Sequence, residues 1–270
     1  MEFKNKTVII TGASSGIGHA CALAFAAEGC NLALAARTLE NLSAVATECE
    51  KLGVKVISVK TDVAIETDCK NLVDATIKTF GGIDILINNA GMSMRALFED
   101  MDLSVLKRLM DVNFWGTVYC TKYALPSLLK SKGSVVGISS IAGYKGLPGR
   151  TGYSASKFAM NGFLEVLRIE NMKKGLHVLI CAPGYTASNI RNTALTKDGT
   201  AQAESPLDEK KLMQPEEVAA AVVNAVKKRK NILILTTIGK VTVLLNKFFP
   251  KFMDKMVYNN IAKEKDSPFK

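Results

Sequence analysis

The sequence of 270 residues predicts an α/β fold: a doubly wound parallel sheet with helices on both faces, followed by an amphipathic helical extension. Three observations predict it. Short apolar runs alternate with longer stretches of helical periodicity, the pattern of β-α units that pack into a right-handed parallel sheet. The first run, Thr7-Val8-Ile9-Ile10, opens into a turn with Gly12, Gly16 and Gly18 and then into helix-forming Ala20 to Ala27. Glycines let a backbone approach a phosphate, and the helix N-terminus behind them offers unpaired N–H groups. Finally, 48% of the residues are hydrophobic, and a chain of this length can bury a large core.

The elements follow in order. Asn31 to Ala36 is the second strand. In a dinucleotide fold its end meets the adenosine ribose, where an acid binds a 2′-hydroxyl and repels a 2′-phosphate. Here Ala36 is followed by Arg37 and Thr38, and a guanidinium suits a phosphate. Leu39 to Leu52 is helical in pattern, and Val54 to Val59 is a third strand that leads to Thr61-Asp62-Val63. Asp62 either accepts from an adenine amino group or caps the next helix. That helix spans Ile65 to Phe80 and stops at Gly81-Gly82. Ile83 to Ile87 is the fourth strand and runs into Asn88-Asn89-Ala90-Gly91, small residues that permit close approach of a ligand.

Leu103 to Leu129 reads as one long helical stretch, with Pro126 as a kink or its last turn. Asn113 lies among apolar neighbours and needs partners: a backbone group or a bound water, or more sharply a water held for proton transfer. Trp115 is assigned to packing. The fifth strand is 134–139, a helix covers about 151–174, and His177 to Cys181 is the sixth strand, ended by Pro183-Gly184. Tyr185 to Gln214 has little periodicity, and residues 186–214 are expected to form a lid. Pro215-Glu216-Glu217 starts a helix, with Pro at its first position and acids in its first turn. Asn231 to Thr236 is the seventh strand. No repeat or composition shift interrupts residues 1–236, so these form one domain and 237–270 form the extension.

Tyr153 and Lys157 sit four residues apart, one turn of helix from each other. A nearby ammonium favours phenolate and lowers a phenol from its ordinary value of about 10. A phenol so tuned is a usable general acid and base. Ser140 follows the apolar run Val135-Val136-Gly137-Ile138, and a hydroxyl at the mouth of a strand can donate to a substrate oxygen. Tyr-x-x-x-Lys alone is common on ordinary helices; the glycine turn far upstream gives it weight.

These marks together resemble the short-chain dehydrogenase/reductase superfamily over about residues 5–236. They are Thr11-Gly12-x-x-x-Gly16-x-Gly18, Asp62, Asn88-Asn89-Ala90-Gly91, Asn113, Ser140, Tyr153-x-x-x-Lys157 and Pro183-Gly184. The resemblance implies a seven-stranded Rossmann-type sheet, a nicotinamide cofactor and a tetrad of Asn113, Ser140, Tyr153 and Lys157. It implies that Tyr153 gives or takes the alcohol proton, Ser140 holds the carbonyl or hydroxyl oxygen, Lys157 binds the nicotinamide ribose, and Asn113 holds a water linking Lys157 to solvent. The cofactor would rest on Gly12, Ser14, Ser15, Gly16, Ile17, Gly18, Arg37, Thr38, Asp62, Val63, Asn89, Ala90, Gly91, Asn113, Tyr153, Lys157, Pro183, Gly184, Thr186 and Ser188. Arg37 after Ala36 is similar to the pattern that prefers NADP(H) over NAD(H), although Ser15 stands where some NADP-binding members carry a basic residue. The run Asn113 to Thr117 and the basic tail are loosely similar to relatives of 11β-hydroxysteroid dehydrogenase. The expected activity is hydride transfer between the nicotinamide and an alcohol or carbonyl. Met92, Met94, Tyr144, Leu147, Tyr185 and residues 186–214 would line an apolar pocket suited to a lipophilic carbonyl. The alternative is a non-catalytic dinucleotide sensor or scaffold, which need not keep all four tetrad residues. A homo-oligomer paired through the helices at about 103–130 and 151–174 is also implied.

Composition bounds the rest. No run of about 18 apolar residues is present, and strand-like sequence starts too close to Met1 for a signal peptide. The six cysteines are scattered without a C-x-x-C pair, and His19 and His177 have no partner at ligand spacing. Reduced core cysteines, no metal site and a cytoplasmic chain are expected. Gly-Lys-Ser/Thr is absent, which argues against phosphoryl transfer. Of the net charge of +10, residues 227–270 carry +8, so the body is nearly neutral and nucleic-acid binding is not expected of it. In the tail, Ile238, Val241, Leu244, Leu245, Phe248, Phe249, Phe252, Met253, Met256 and Val257 recur at steps of three and four, with Lys240, Lys247, Lys251 and Lys255 as a basic stripe and Pro250 as a break between two helices. Either the apolar face packs on the body or another subunit, or it lies peripherally in a membrane interface.

Overall fold

The computed structural model describes residues 3–202, 212–264, 267 and 269. Aliphatic runs form the strands, and alternation sends their side chains to opposite faces. On β1 (Thr7–Thr11), Val8 and Ile10 join one core with Phe25, Leu42 and Val222, while Ile9 joins the other with Leu72, Leu128 and Leu164. The first core is covered by α1 (Gly16–Ala27), α2 (Leu39–Glu50) and α7 (Pro215–Lys227); the second by α3 (Glu66–Phe80), α5 (Gly116–Lys130) and α6 (Thr151–Glu170). The strands between them are β2 (Asn31–Ala36), β3 (Val56–Lys60), β4 (Ile85–Asn88), β5 (Ser134–Ile138), β6 (His177–Ala182) and β7 (Ile232–Ile234). All pair in parallel, in the order β3-β2-β1-β4-β5-β6-β7. The order reverses between β1 and β4, and the crevice at that switch point, beyond the strand ends, is where such sheets bind ligands.

The expected seven-stranded doubly wound sheet is therefore present, with strand bounds shifted by at most two residues. The stretch expected as one helix from Leu103 to Leu129 departs more. An α-helix, α4 (Leu103–Leu109), passes into a π-helical turn, Met110–Trp115, before α5. Asn113 sits in that turn, and π-turns collect at functional sites. Pro126 lies within α5, which ends one turn later at Lys130. Trp115, assigned to packing, stacks on Tyr119 while staying 42% exposed.

The six cysteines are buried and unpaired, as expected. His177 is a structural residue, its Nδ1 2.9 Å from the Ser134 hydroxyl and its Nε2 2.8 Å from the Lys230 carbonyl oxygen. Pro250 divides the extension into α8 (Thr237–Phe248) and α9 (Pro250–Ala262). Gly239, Val243, Met253 and Ile261 are buried there, so one side of the hairpin packs. Among the described residues, no helix is long and apolar enough to cross a membrane.

Candidate active site

Every strand that borders the crevice ends in residues singled out above. β1 ends in the glycine turn. Gly12 has φ +64°, a left-handed conformation that disfavours side chains, and a Cβ on Gly18 would stand 2.2 Å from the Gly12 oxygen. The turn is tied to the end of β4. The Thr11 hydroxyl donates to the Ile87 oxygen (3.3 Å) and accepts from the Asn89 and Ala90 amides (3.0 Å each). Asn89 Nδ2 donates to the oxygens of Thr11 (2.9 Å) and Gly12 (3.1 Å). Ser14, Ile17 and the exposed Ser15 complete the turn, and the Ser15 hydroxyl caps nothing. Arg37 and Thr38 stand exposed past β2, and among the described residues no group pairs with Arg37. Asp62, with Val63 past β3, accepts from the Ala64 amide (3.0 Å) within its own turn; α3 is capped at Ile65 without a side-chain bond, so Asp62 does not cap that helix. Past β6, Pro183, Gly184, Thr186 and Ser188 border the same crevice, and a Cβ on Gly16 would lie 3.4 Å from the Ser188 Cβ.

The polar centre lies past β5. Ser140 ends that strand's loop, and its oxygen accepts from the Ala142 amide (3.1 Å). Tyr153 and Lys157 face it from the first turns of α6. Lys157 is 3% exposed; its ammonium donates to the Ile138 oxygen (2.8 Å) and lies 5.8 Å from the centre of the Tyr153 ring. Desolvation pulls the lysine down to about 8. Burial pushes the Tyr153 phenol up, against the Ser140 hydroxyl and then the Arg150 and Arg191 charges, which lower it. The expected net depression of the phenol by Lys157 is thus corrected: the ammonium is committed to Ile138, and desolvation dominates.

Asn113, which the resemblance makes a water holder, is buried where these segments meet. Its side chain is engaged by protein: Oδ1 accepts from the Met92 amide (2.8 Å), and Nδ2 donates to the Met92 oxygen (3.0 Å) and the Ser156 hydroxyl (2.9 Å). It fastens the segment after β4 to α6. Gly91 leaves the space between: a Cβ there would lie 3.2 Å from Asn113 Oδ1 and 3.6 Å from Lys157 Nζ.

Of the expected pocket residues, Met92 packs beside Tyr153, but Met94 is wholly buried, accepting from the Gly152 amide through sulfur (3.3 Å). The expected lid is pinned where it is described: Leu195 is buried, its amide donating to the Ser93 oxygen and its oxygen accepting from the Arg95 amide. Residues 203–211 of that segment lie outside the described residues. Three residues that bear on the site are absent from the sequence reading. Asn161, one further turn along the Tyr153–Lys157 face, accepts from Ser139 (2.6 Å) and donates to the Gly143 oxygen (2.9 Å), bracing the loop that carries Ser140. Its spacing of four from Lys157 is the available signal. Arg150 and Arg191 reach Tyr153 through the fold, and no local pattern marks them.

Known proteins resemble this chain in sequence and fold. The profile of the family described as short chain dehydrogenase matches residues 6–199. The chain belongs to that family. It is 44% identical over 187 residues to 11-beta-hydroxysteroid dehydrogenase 1A of Arabidopsis thaliana, covering 68% of this chain and 53% of that protein, so it spans about half the length of that relative. It is 38% identical over 254 residues to 11-beta-hydroxysteroid dehydrogenase-like 4A of the same plant, covering 93% and 83%. An alcohol dehydrogenase from Thermococcus sibiricus, complexed with 5-hydroxy-NADP, superposes with a TM-score of 0.77 at 26% identity over 86% of this chain and 96% of that one. A short chain dehydrogenase/reductase from Burkholderia phymatum with NAD gives 0.82 at 24% identity over 93% and 96%, a likeness of fold.

Lys157 has a testable consequence. An unfolded lysine near 10.5 holds its proton when the folded one, near 8, has lost it, so folding stability rises with pH across that window. The difference in unfolding free energy between the wild type and Lys157→Met should grow with pH from 8 to 10.5. The growth should reach at most about 3 kcal/mol, since each tenfold change in proton affinity is worth about 1.36 kcal/mol. Urea titrations at both ends of the window check this; a constant difference means the buried ammonium is not destabilised.

Proposed function

We propose that this short-chain dehydrogenase is an NADP(H)-dependent oxidoreductase that transfers a hydride between the nicotinamide and a lipophilic alcohol or carbonyl, with Tyr153 as general acid and base. The observation that carries the reading is the convergence of Ser140, Tyr153 and a buried Lys157 beside a glycine cradle at the sheet's switch point. The cradle suits a dinucleotide: its backbone is open where a Cβ would block a pyrophosphate. Such a cofactor supplies the hydride chemistry when bound, and the chain supplies orientation and charge. Gly12 to Gly18 would take the pyrophosphate, Arg37 a 2′-phosphate, and Lys157 with Asn89 to Gly91 the nicotinamide end. In reduction, Tyr153 donates its proton to the carbonyl oxygen while the Ser140 hydroxyl stabilises the same oxygen; in oxidation, Tyr153 takes it back. The relatives named as hydroxysteroid dehydrogenases support an apolar substrate. A non-catalytic sensor is disfavoured, because it has no need of all four tetrad side chains.

Tyr153→Phe removes only the proton-transfer oxygen. Turnover, found by screening lipophilic carbonyls for loss of NADPH absorbance, should vanish while NADPH titration stays near wild type; a retained rate refutes the assignment. Arg37→Ala should weaken NADPH by about tenfold or more while sparing NADH, the worth of one charge-assisted contact. Equal affinity of the wild type for both dinucleotides would sink the NADP preference. We also propose a homo-oligomer, supported by Phe158, Val166 and Ile169, which α6 leaves exposed. Light scattering at micromolar concentration should read a dimer or tetramer, and a monomer overturns it.

A further inference from the structure

The C-terminal hairpin is fixed to the body by polar groups and presents apolar ones to the outside. Asp254 pairs with the Lys145 ammonium, and Asn246 Nδ2 donates to the Tyr144 oxygen (3.2 Å). Glu264, beyond α9, is buried and accepts from Arg95 (3.3 Å) and Arg150 (3.4 Å). Gly239 lies so close to the body that a Cβ would stand 2.7 Å from Ile141 Cδ1. The packing side is thereby fixed, and the opposite side cannot turn inward. That opposite side carries Ile238 (81% exposed), Leu244 (58%), Phe248 (68%), Phe249 (58%) and Phe252 (55%). Scattered exposed apolar residues need no explanation, but a continuous strip across two helices marks an interaction surface.

We propose that this face docks the protein on an anionic phospholipid bilayer. Charge complementarity selects the partner. At about 100° per residue, Lys240 and Lys247 lie together on one flank of α8's apolar strip, and Lys251 and Lys255 on one flank of α9's; all four are exposed. A basic flank beside an aromatic and aliphatic face is the arrangement of a helix lying in the interface plane, with its lysines at the phosphates. Between α9 and the loop at 145–148 lies an open cavity of about 570 Å³, lined by Lys145, Lys251, Lys255, Asp254 and Tyr258. Its three ammonium groups against one carboxylate suit a phosphate headgroup. A second copy of the chain has another apolar surface available on α6, at Phe158, Val166 and Ile169. The inference does not depend on the reaction proposed above.

Co-sedimentation of the full chain with vesicles tests it. The wild type should pellet with phosphatidylglycerol/phosphatidylcholine vesicles at low salt, and roughly tenfold or more weakly with phosphatidylcholine alone, since each surface lysine adds attraction to an anionic leaflet. Lys240→Gln/Lys247→Gln/Lys251→Gln/Lys255→Gln should lose that preference. Phe248→Ser/Phe252→Ser should lose binding, with circular dichroism showing the body still folded. No pelleting with anionic vesicles overturns the proposal. So does equal binding to neutral vesicles, which would leave the lysines without a role. A dimer that Phe248→Ser/Phe252→Ser dissociates, without vesicle binding, would assign the face to a second copy and overturns it too.

Discussion

The geometry of this site depends on one buried carboxamide. Asn113 is wholly inside the protein, in the π-helical turn between α4 and α5, and its amide group bonds both backbone groups of Met92 and the Ser156 hydroxyl. A buried polar group that loses its partners costs its full desolvation, so these bonds hold the three segments in one arrangement. Met92 follows the Asn89–Gly91 segment that the glycine turn grips from the other side. Ser156 is next to Lys157. The amide therefore ties the glycine turn's neighbour to the helix that carries Tyr153 and Lys157, and it does so from the irregular turn between α4 and α5.

A single cause moves the two titrating groups in opposite directions. Desolvation disfavours charge, so it raises the Tyr153 phenol and lowers the Lys157 ammonium. The gap between two groups that begin near 10 and 10.5 reverses, and the lysine becomes the stronger acid of the pair. The phenol then remains protonated while its neighbour titrates at about 8. Arg150 and Arg191 offset part of this at the phenol, and their charges arrive from the helix cap and from the segment after β6. Ordering the tyrosine and lysine in this way needs burial more than proximity, since the ammonium is turned toward Ile138 rather than toward the ring.

What can be read from the sequence is what local physics encodes. Apolar runs and glycine punctuation mark β1, the cradle and β4, and a four-residue spacing places Tyr153 and Lys157 on one helix face. The same spacing gives the wrong direction for the Tyr153 phenol, because it reveals a neighbour but not the depth at which both lie. Met94 reads as a pocket residue and is wholly buried, since an apolar residue after a strand looks the same whether it lines a cavity or fills the core. The π-turn is invisible: Asn113 is one polar residue in an otherwise regular pattern, and only its tertiary partners make the extra residue favourable. Arg150 and Arg191 lie 41 positions apart in the sequence and converge through the sheet.

The extension departs from the usual rule for helices in water on one side only. α8 and α9 bury Val243, Met253 and Ile261 and are further held to the body through Asn246, Asp254 and the buried Glu264 that follows, while phenylalanines face outward. Burial of Glu264 requires its two arginines, because an unpaired carboxylate there would be expensive. Arg150 caps the start of α6, three residues before Tyr153, and Arg95 lies in the segment that Asn113 anchors at Met92. The contacts that orient the apolar face outward are therefore made by residues adjoining the candidate site. An apolar face held outward by polar contacts on its other side is what the proposed docking on a bilayer requires, because the hairpin cannot turn to bury its phenylalanines without breaking those contacts.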